Sequence, residues 1–239
     1  MKILALDSSG LVASVAVAEE DRLLAEYTVD YKKTHSQTLL PMLQEIARMI
    51  ELDLSTVDAI AVAGGPGSFT GLRIGSATAK GLGLALDKPI VSVPTVDALA
   101  WNLYGTEKHI CPMMDARRNQ VYTGIYRFDG DEFVTVEPQK PLGIEELADH
   151  LNALESPVIL LGDGVPVYRS LLEGLLTVPH QYAPPHVSRQ HAGAVAALAQ
   201  RYVLAGKTET AAEHRPEYLR MSQAERERAE RLKREQQPE

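Results

Sequence analysis

Val57-Asp58-Ala59-Ile60-Ala61-Val62-Ala63 runs directly into Gly64-Gly65-Pro66-Gly67-Ser68-Phe69-Thr70-Gly71-Leu72-Arg73-Ile74-Gly75, and this junction decides the fold. A short apolar run that ends in clustered glycines and reopens on Ser68 predicts strand, tight turn and helix, with Ser68 as the N-cap. Such junctions gather function in open α/β sheets, because exposed backbone N–H groups and a helix N-terminus face one point and favour an anion there. No Gly-Lys-Ser/Thr closes the run as a Walker A, and its spacing is not a dinucleotide fingerprint. Gly64, Gly65, Gly67 and Ser68 are therefore candidates for a phosphate or nucleotide contact and nothing narrower.

The helix that follows carries a second pattern. Gly71, Gly75, Ala79 and Gly83 recur every four residues, so one face of 68–86 is almost bare, with Leu72, Leu82 and Leu86 bulky beside it. Each interior glycine costs up to about 1 kcal/mol against alanine. A stripe of them calls for close packing, either on the chain's own sheet or on a helix of another subunit.

Outward from this junction, residues 2–7, 12–18 and 22–30 are apolar or alternating runs separated by Ser8-Ser9-Gly10 and Glu19-Glu20-Asp21, which predicts an antiparallel meander of three strands. Residues 34–52 have helical period through Leu39, Leu43, Ile46 and Ile50. Leu40, Met42, Ala47 and Met49 widen that stripe beyond one buried face, which predicts cover on more than one side. Pro41 must lie in the first turn or kink the helix. A strand at 89–93 and a helix from Thr95 to about Tyr104 complete the set. Three antiparallel strands feeding two βα units is the layout of the ribonuclease H-like domain of the actin, sugar kinase and heat-shock ATPase superfamily. That is an assignment of fold and not of chemistry.

Past Gly105 the pattern restarts, with strands expected at 109–114, 120–128 and 132–137, a loop at 138–143, a helix at 144–154, a strand at 158–161 and a helix at 165–176. A Pro-rich stretch, 179–185, leads to Ser188 as N-cap of an alanine-rich helix to about Leu204, expected to pack back on the first lobe. The organisation this predicts is a first lobe at 1–105, a reduced second lobe at 106–187, and a C-terminal segment at 206–239. The tail from Ala224 pairs Glu227 with Arg231 and Glu230 with Arg234 at helical spacing, but holds almost nothing apolar and is expected to be solvated.

The 239 residues are 45% hydrophobic, enough for a sizeable core, with a formal net charge of -8. Binding of nucleic acid rests mainly on Lys and Arg, so this chain is not expected to grip RNA by itself. The N-terminus reaches Asp7 too soon for a signal peptide, and no run approaches the roughly 18 apolar residues of a membrane span. Cys111 stands alone, which excludes an internal disulfide and a cysteine-rich metal site and fits the cytoplasm.

Asp7 ends the first strand at a turn, where ATP-using members of the superfamily aim a carboxylate at metal-bound phosphates. Those members have glycine two residues on; here that position is Ser9, and an aspartate that stabilises the turn is the alternative. His35 has Leu39 at i+4 and so forms no metal pair; it reads as a capping or interface residue. His180, His186 and His191 match no ligand spacing. Asp115-Ala116-Arg117-Arg118-Asn119 sets Arg117 and Arg118 beside a carboxylate, as an anion or partner contact or as an internal pair with Asp115. No Gly-x-Ser-x-Gly elbow frames a serine.

Taken together, Met1 to Ser9, Thr34-His35-Ser36-Gln37-Thr38-Leu39-Leu40-Pro41, the Gly64 to Gly75 run, Val93-Pro94-Thr95-Val96-Asp97-Ala98-Leu99, Asp115-Ala116-Arg117-Arg118 and Pro216-Glu217-Tyr218-Leu219-Arg220 resemble the TsaB family, also called YeaZ. These are accessory proteins of the bacterial system that makes threonylcarbamoyladenosine in tRNA. The resemblance spans about residues 1–220 and leaves the charged tail out. It implies two lobes related to the transferase TsaD, whose catalytic metal is held by a His-x-x-x-His pair at the start of the helix after the fifth strand. At those positions this chain has Thr95 and Leu99, neither a usual metal ligand.

The resemblance therefore implies a non-catalytic scaffold with no metal and no cofactor. Its partners would be a TsaD-like transferase in a heterodimer and a TsaE-like ATPase, with a homodimer when alone and tRNA contact mainly through the partners. Pairing in the family runs through the first two helices, which assigns Leu39, Leu40, Met42, Leu43, Ile46, Gly71, Leu72, Gly75, Ala79 and Gly83 to a subunit interface. Two rival readings stand beside it: an ATP-dependent kinase or transferase using Asp7 and the Gly64 to Gly67 loop, and a peptidase.

Overall fold

A computed structural model describes residues 1–31 and 34–220; the charged tail from Ala224 lies outside the described residues. Strands β1 (Lys2–Asp7), β2 (Ala13–Glu19) and β3 (Arg22–Val29) form a meander, followed by α1 (His35–Met49), a 3-10 turn at Leu54–Thr56, β4 (Ala59–Gly65), α2 (Phe69–Leu86), β5 (Ile90–Pro94) and α3 (Thr95–Trp101). The sheet order is β3-β2-β1-β4-β5, with β4 parallel to both β1 and β5. The second half repeats this with β6 (His109–Arg117), β7 (Gln120–Asp129), β8 (Glu132–Gly143), α4 (Ile144–Asn152), β9 (Val158–Leu161), α5 (Gly164–Leu175) and β10 (His180–Tyr182). Its order, β8-β7-β6-β9-β10, is the same topology, so the chain holds two ribonuclease H-like sheets. The last helix among the described residues, α6 (Ala192–Leu204), lies on the first of them.

The continuous apolar run of β1 follows from cover on both faces. Leu4 and Leu6 join Leu39, Met42, Leu43 and Ile46 of α1 on one side. Ile3 and Ala5 join Ala192, Val195, Ala196 and Ala199 of α6 on the other, where alanines let the helix approach closely. The lobes meet in a third cluster, with Val96, Leu99 and Ala100 of α3 against Ile110, Met114, Tyr122 and Tyr126.

Three local expectations change. Residues 138–143 are not a loop: Pro141 and Leu142 pair with Tyr122 and Val121. The strand β8 is at the sheet edge, where a proline's missing N–H is tolerated. The Pro-rich stretch contains the short strand β10, parallel to β9. Helix α6 begins at Ala192 after His191, not at Ser188. Its first N–H groups are satisfied from a distant part of the chain. Ala192 N–H donates to Ser14 Oγ (2.9 Å) and Gly193 N–H to Glu26 Oε1 (2.9 Å), while His191 Nδ1 contacts Glu26 Oε2 at 3.1 Å.

This anchor makes the hold on α6 depend on pH. Burial pushes Glu26 up, but the His191 and Gly193 bonds outweigh it and bring the carboxyl below its usual 4.5. The bond to Glu26 raises His191 above its usual 6.5, against its burial. A depressed carboxyl contributes stability above 4.5 that is lost as pH falls through its folded value; a raised histidine contributes below 6.5 and loses it as pH rises. Glu26→Ala is expected to cost about 1–2 kcal/mol. The difference from the unmutated chain, measured as urea midpoints, should be largest between pH 4.5 and 6.5. A pH-independent difference would show that the ion pair contributes nothing.

Candidate functional site

The turn after β1, the start of α2 and the β6–β7 hairpin converge on a cleft of about 530 Å³ between the lobes. Ser9, Gly10, Gly67, Ser68 and Thr70 line it from the first lobe, and Asp115, Arg117, Tyr122 and Asp163 from the second, with Arg220. Backbone interlocking fixes the first wall. Ser68 N–H donates to Ser9 O (2.7 Å), Gly71 N–H to Ser68 Oγ (3.3 Å) and Ser8 Oγ to Gly71 O (2.9 Å). Ser68 is thus the N-cap of α2.

On the second wall, Arg117, Arg118 and Asn119 all take left-handed backbone angles at the hairpin tip (φ 62°, 57° and 56°). Asp115 holds that tip through its carboxylate: Oδ1 accepts Arg117 N–H at 2.8 Å and the Tyr168 hydroxyl at 3.0 Å. Asp115 N–H in turn donates to Asp163 Oδ1 (3.1 Å), and burial raises the Asp163 carboxyl.

Of the candidate anion residues, Gly67, Ser68 and Arg117 reach the cleft, while Asp7, Gly64, Gly65 and Arg118 do not line it. Asp7 is buried at the end of β1, where Oδ1 accepts Ser9 N–H (2.8 Å) and Ser9 Oγ–H (2.6 Å). Burial raises its carboxyl, against those two bonds. Gly64 packs on Ser92, and Gly65, at φ +124°, packs under the Glu217 main chain. Thr70, Tyr122, Asp163 and Arg220 are cleft residues to which the sequence reading gave no role, and Arg220 is the most distant of them in sequence from the glycine turn. It comes from the end of the described chain, and nothing local in sequence says where that segment lies.

The residues assigned to a subunit interface need correcting. Leu39, Met42, Leu43, Ile46, Leu72 and Ala79 are buried inside the chain. A Cβ on Gly71 would strike the Ser8 carbonyl, one on Gly75 would meet Ser8 Oγ and Val62, and one on Gly83 would meet Ile90. The glycine stripe therefore serves close approach to the chain's own sheet. Leu40 alone of the ten points outward, 54% exposed, as do Met49 at 67% and Leu84 at 71% on the same two helices.

The start of α3 is given to packing. Thr95 Oγ1 accepts Gly65 N–H at 3.1 Å, and Leu99 lies in the interlobe core. Gln139 of β8 completes the arrangement, taking Val96 N–H on Oε1 (3.4 Å) and donating Nε2 to Gly65 O (3.3 Å). Nearby, the Tyr126 hydroxyl donates to Asp97 (2.7 Å), whose carboxyl burial raises. His35 Nε2 contacts Gly10 O at 2.9 Å, a structural tie between α1 and the β1 turn. Among the described residues no cluster of three or more His, Cys, Asp or Glu is placed to hold a metal ion.

The family model for TsaD, tRNA N6-adenosine threonylcarbamoyltransferase, matches residues 22–228. The Bacillus subtilis tRNA threonylcarbamoyladenosine biosynthesis protein TsaB is 33% identical over 228 residues, which is 94% of this chain and 96% of that protein. The Escherichia coli protein of the same name is 35% identical over 132 residues, 54% of this chain and 56% of that one. In structure, YeaZ from Pseudomonas aeruginosa superposes with a TM-score of 0.79 at 31% identity, covering 91% of this chain and 99% of that one. A polyphosphate/ATP-glucomannokinase from Arthrobacter, at a TM-score of 0.50 and 12% identity over 85% of this chain and 99% of its own, shares the fold.

Proposed function

Since the chain belongs to the TsaB family, also called YeaZ, we propose that it takes part in forming threonylcarbamoyladenosine at position 37 of tRNAs, as the non-catalytic scaffold and activator of a TsaD-like transferase. The observation that carries this reading is the start of α3. The two positions that the family resemblance equates with a metal-binding histidine pair hold a threonine that accepts a backbone N–H and a leucine packed in the core. Neither side chain is free to ligate. A TsaE-like ATPase is the further partner, and a homodimer forms when the transferase is absent. Contact with tRNA runs mainly through the partners, in keeping with the net charge of -8. The cytoplasm is where this reaction would take place.

The subunit contact of this proposal uses the outward faces of α1 and α2, where Leu40, Met49 and Leu84 are exposed. Leu40→Glu with Leu84→Glu is expected to weaken association with the co-purified transferase about tenfold or more. The unfolding free energy of the isolated chain should stay within about 0.5 kcal/mol per site. Reconstitution of the transferase and ATPase with substrate tRNA tests the function: modification should need this chain and should fall with the double variant. Equal modification without the chain would overturn the scaffold reading, and unchanged association of the double variant would overturn the choice of surface.

A further inference from the structure

Residues 215–220 cross from one lobe to the other over the glycine turn. Glu217 N–H donates to Gly64 O at 2.7 Å, and its carboxylate accepts Gln139 Nε2–H at 3.0 Å. Tyr218 stacks on Phe69 with ring centroids 4.5 Å apart and planes 1° from parallel, and its hydroxyl accepts Arg73 Nε–H at 3.3 Å. Leu219 packs on the interlobe core. Arg220 Nη1 donates to Ala116 O at 2.7 Å and stands in the cleft wall. A main-chain bond, an aromatic anchor, an apolar anchor and a guanidinium on a carbonyl are how an extended peptide seats in a groove.

The contacts divide between the lobes: Gly64, Phe69 and Arg73 belong to the first, Gln139 and Ala116 to the second. The segment is also separable from the core. Just before it, His214 is fully buried, with Nδ1 2.7 Å from Glu209 Oε1 and its carbonyl accepting Lys80 Nζ–H at 3.1 Å. From Arg215 the chain runs along the surface, and Glu217 and Tyr218 stay exposed.

We propose that residues 215–220 are a tethered peptide ligand of a groove formed by both lobes. Seated, the segment clasps the lobes together and sets Arg220 into the cleft; displaced, it leaves the groove open to an extended segment of the same chemistry. Tethering holds the segment at an effective concentration on the order of millimolar, so a free peptide competes only when the tethered copy is weakened.

The test uses the full chain carrying Tyr218→Ala and Leu219→Ala, with the free peptide Arg-Pro-Glu-Tyr-Leu-Arg as probe. Amide exchange at Gly65 and Val96 is expected to rise about tenfold or more, while β1 and β4 keep their protection. The peptide should bind the variant at least about tenfold more tightly than the unmutated chain and restore slow exchange, and its Tyr→Ala version should not. Unchanged exchange in the variant, or equal binding to both chains, would overturn the proposal. Should β1 and β4 also lose protection, Tyr218→Ala alone, which removes the ring from Phe69 and leaves Leu219 and the groove in place, takes the place of the double variant. Faster exchange and tighter peptide binding in it would again support the proposal, and the lack of either would overturn it. Neither partner protein nor tRNA is needed, so this outcome is independent of the scaffold reading.

Discussion

Gly71→Ala is expected to leave the first lobe about 3 kcal/mol or more less stable, although alanine is the better helix former by about 1 kcal/mol. A Cβ there would run into the Ser8 carbonyl oxygen. That oxygen belongs to backbone held by Ser8 Oγ bonded to Gly71 O (2.9 Å) and by Ser68 N–H bonded to Ser9 O (2.7 Å), so it cannot step aside. Gly75 is milder for alanine, because the nearest atom is the side-chain hydroxyl of Ser8, 2.6 Å away, which can turn aside at the loss of its bond to Gly71 O. Leucine at Gly75 would still unfold the lobe before it said anything about subunits. Gly81 is the control: nothing lies within 4 Å of its Cβ position, so Gly81→Ala should stabilise by about 0.5–1 kcal/mol. Urea midpoints of the three alanine variants decide. If Gly71→Ala matches Gly81→Ala, the close approach of α2 to the β1 turn contributes nothing.

Placing histidines at positions 95 and 99 is the second large effect. Thr95→His with Leu99→His is expected to give no metal site and to cost about 4 kcal/mol or more. Leu99 is packed among Val96, Ile110, Met114 and Tyr126, and an imidazole there would be a buried polar group without a partner. At position 95 the exchange removes the hydroxyl that accepts Gly65 N–H. Zinc calorimetry and thermal unfolding measure the two halves separately. A folded double variant that binds one zinc ion tightly would mean that this helix start is an emptied site and not a repacked one.

Much of the fold was legible because its signals are local. The apolar run of β4, the glycines and Ser68 as N-cap announce strand, turn and helix within twenty residues of sequence. What stayed hidden depends on partners far along the chain. Glu26 caps a helix 167 positions away, and the segment ending at Arg220 reaches a cleft built by the two lobes. The Pro138 to Gly143 stretch read as a loop because prolines argue against strands, yet an edge strand accepts them. Periodicity was ambiguous in another way for α1 and α2. It set Leu39 and Leu43 on one face and Leu40 and Met42 beside it, but not what covers the wider stripe: Met42 is buried within the chain, while Leu40 faces out.

The return of α6 to the first sheet bears on how the protein is made. Ile3, Ala5 and Ala16 lack most of their cover on that face until residues 192–204 are available. The half synthesised first is therefore the half completed last. During translation its apolar sheet face must wait, shielded by chaperones or by a loosely collapsed state, while the second half is still being synthesised.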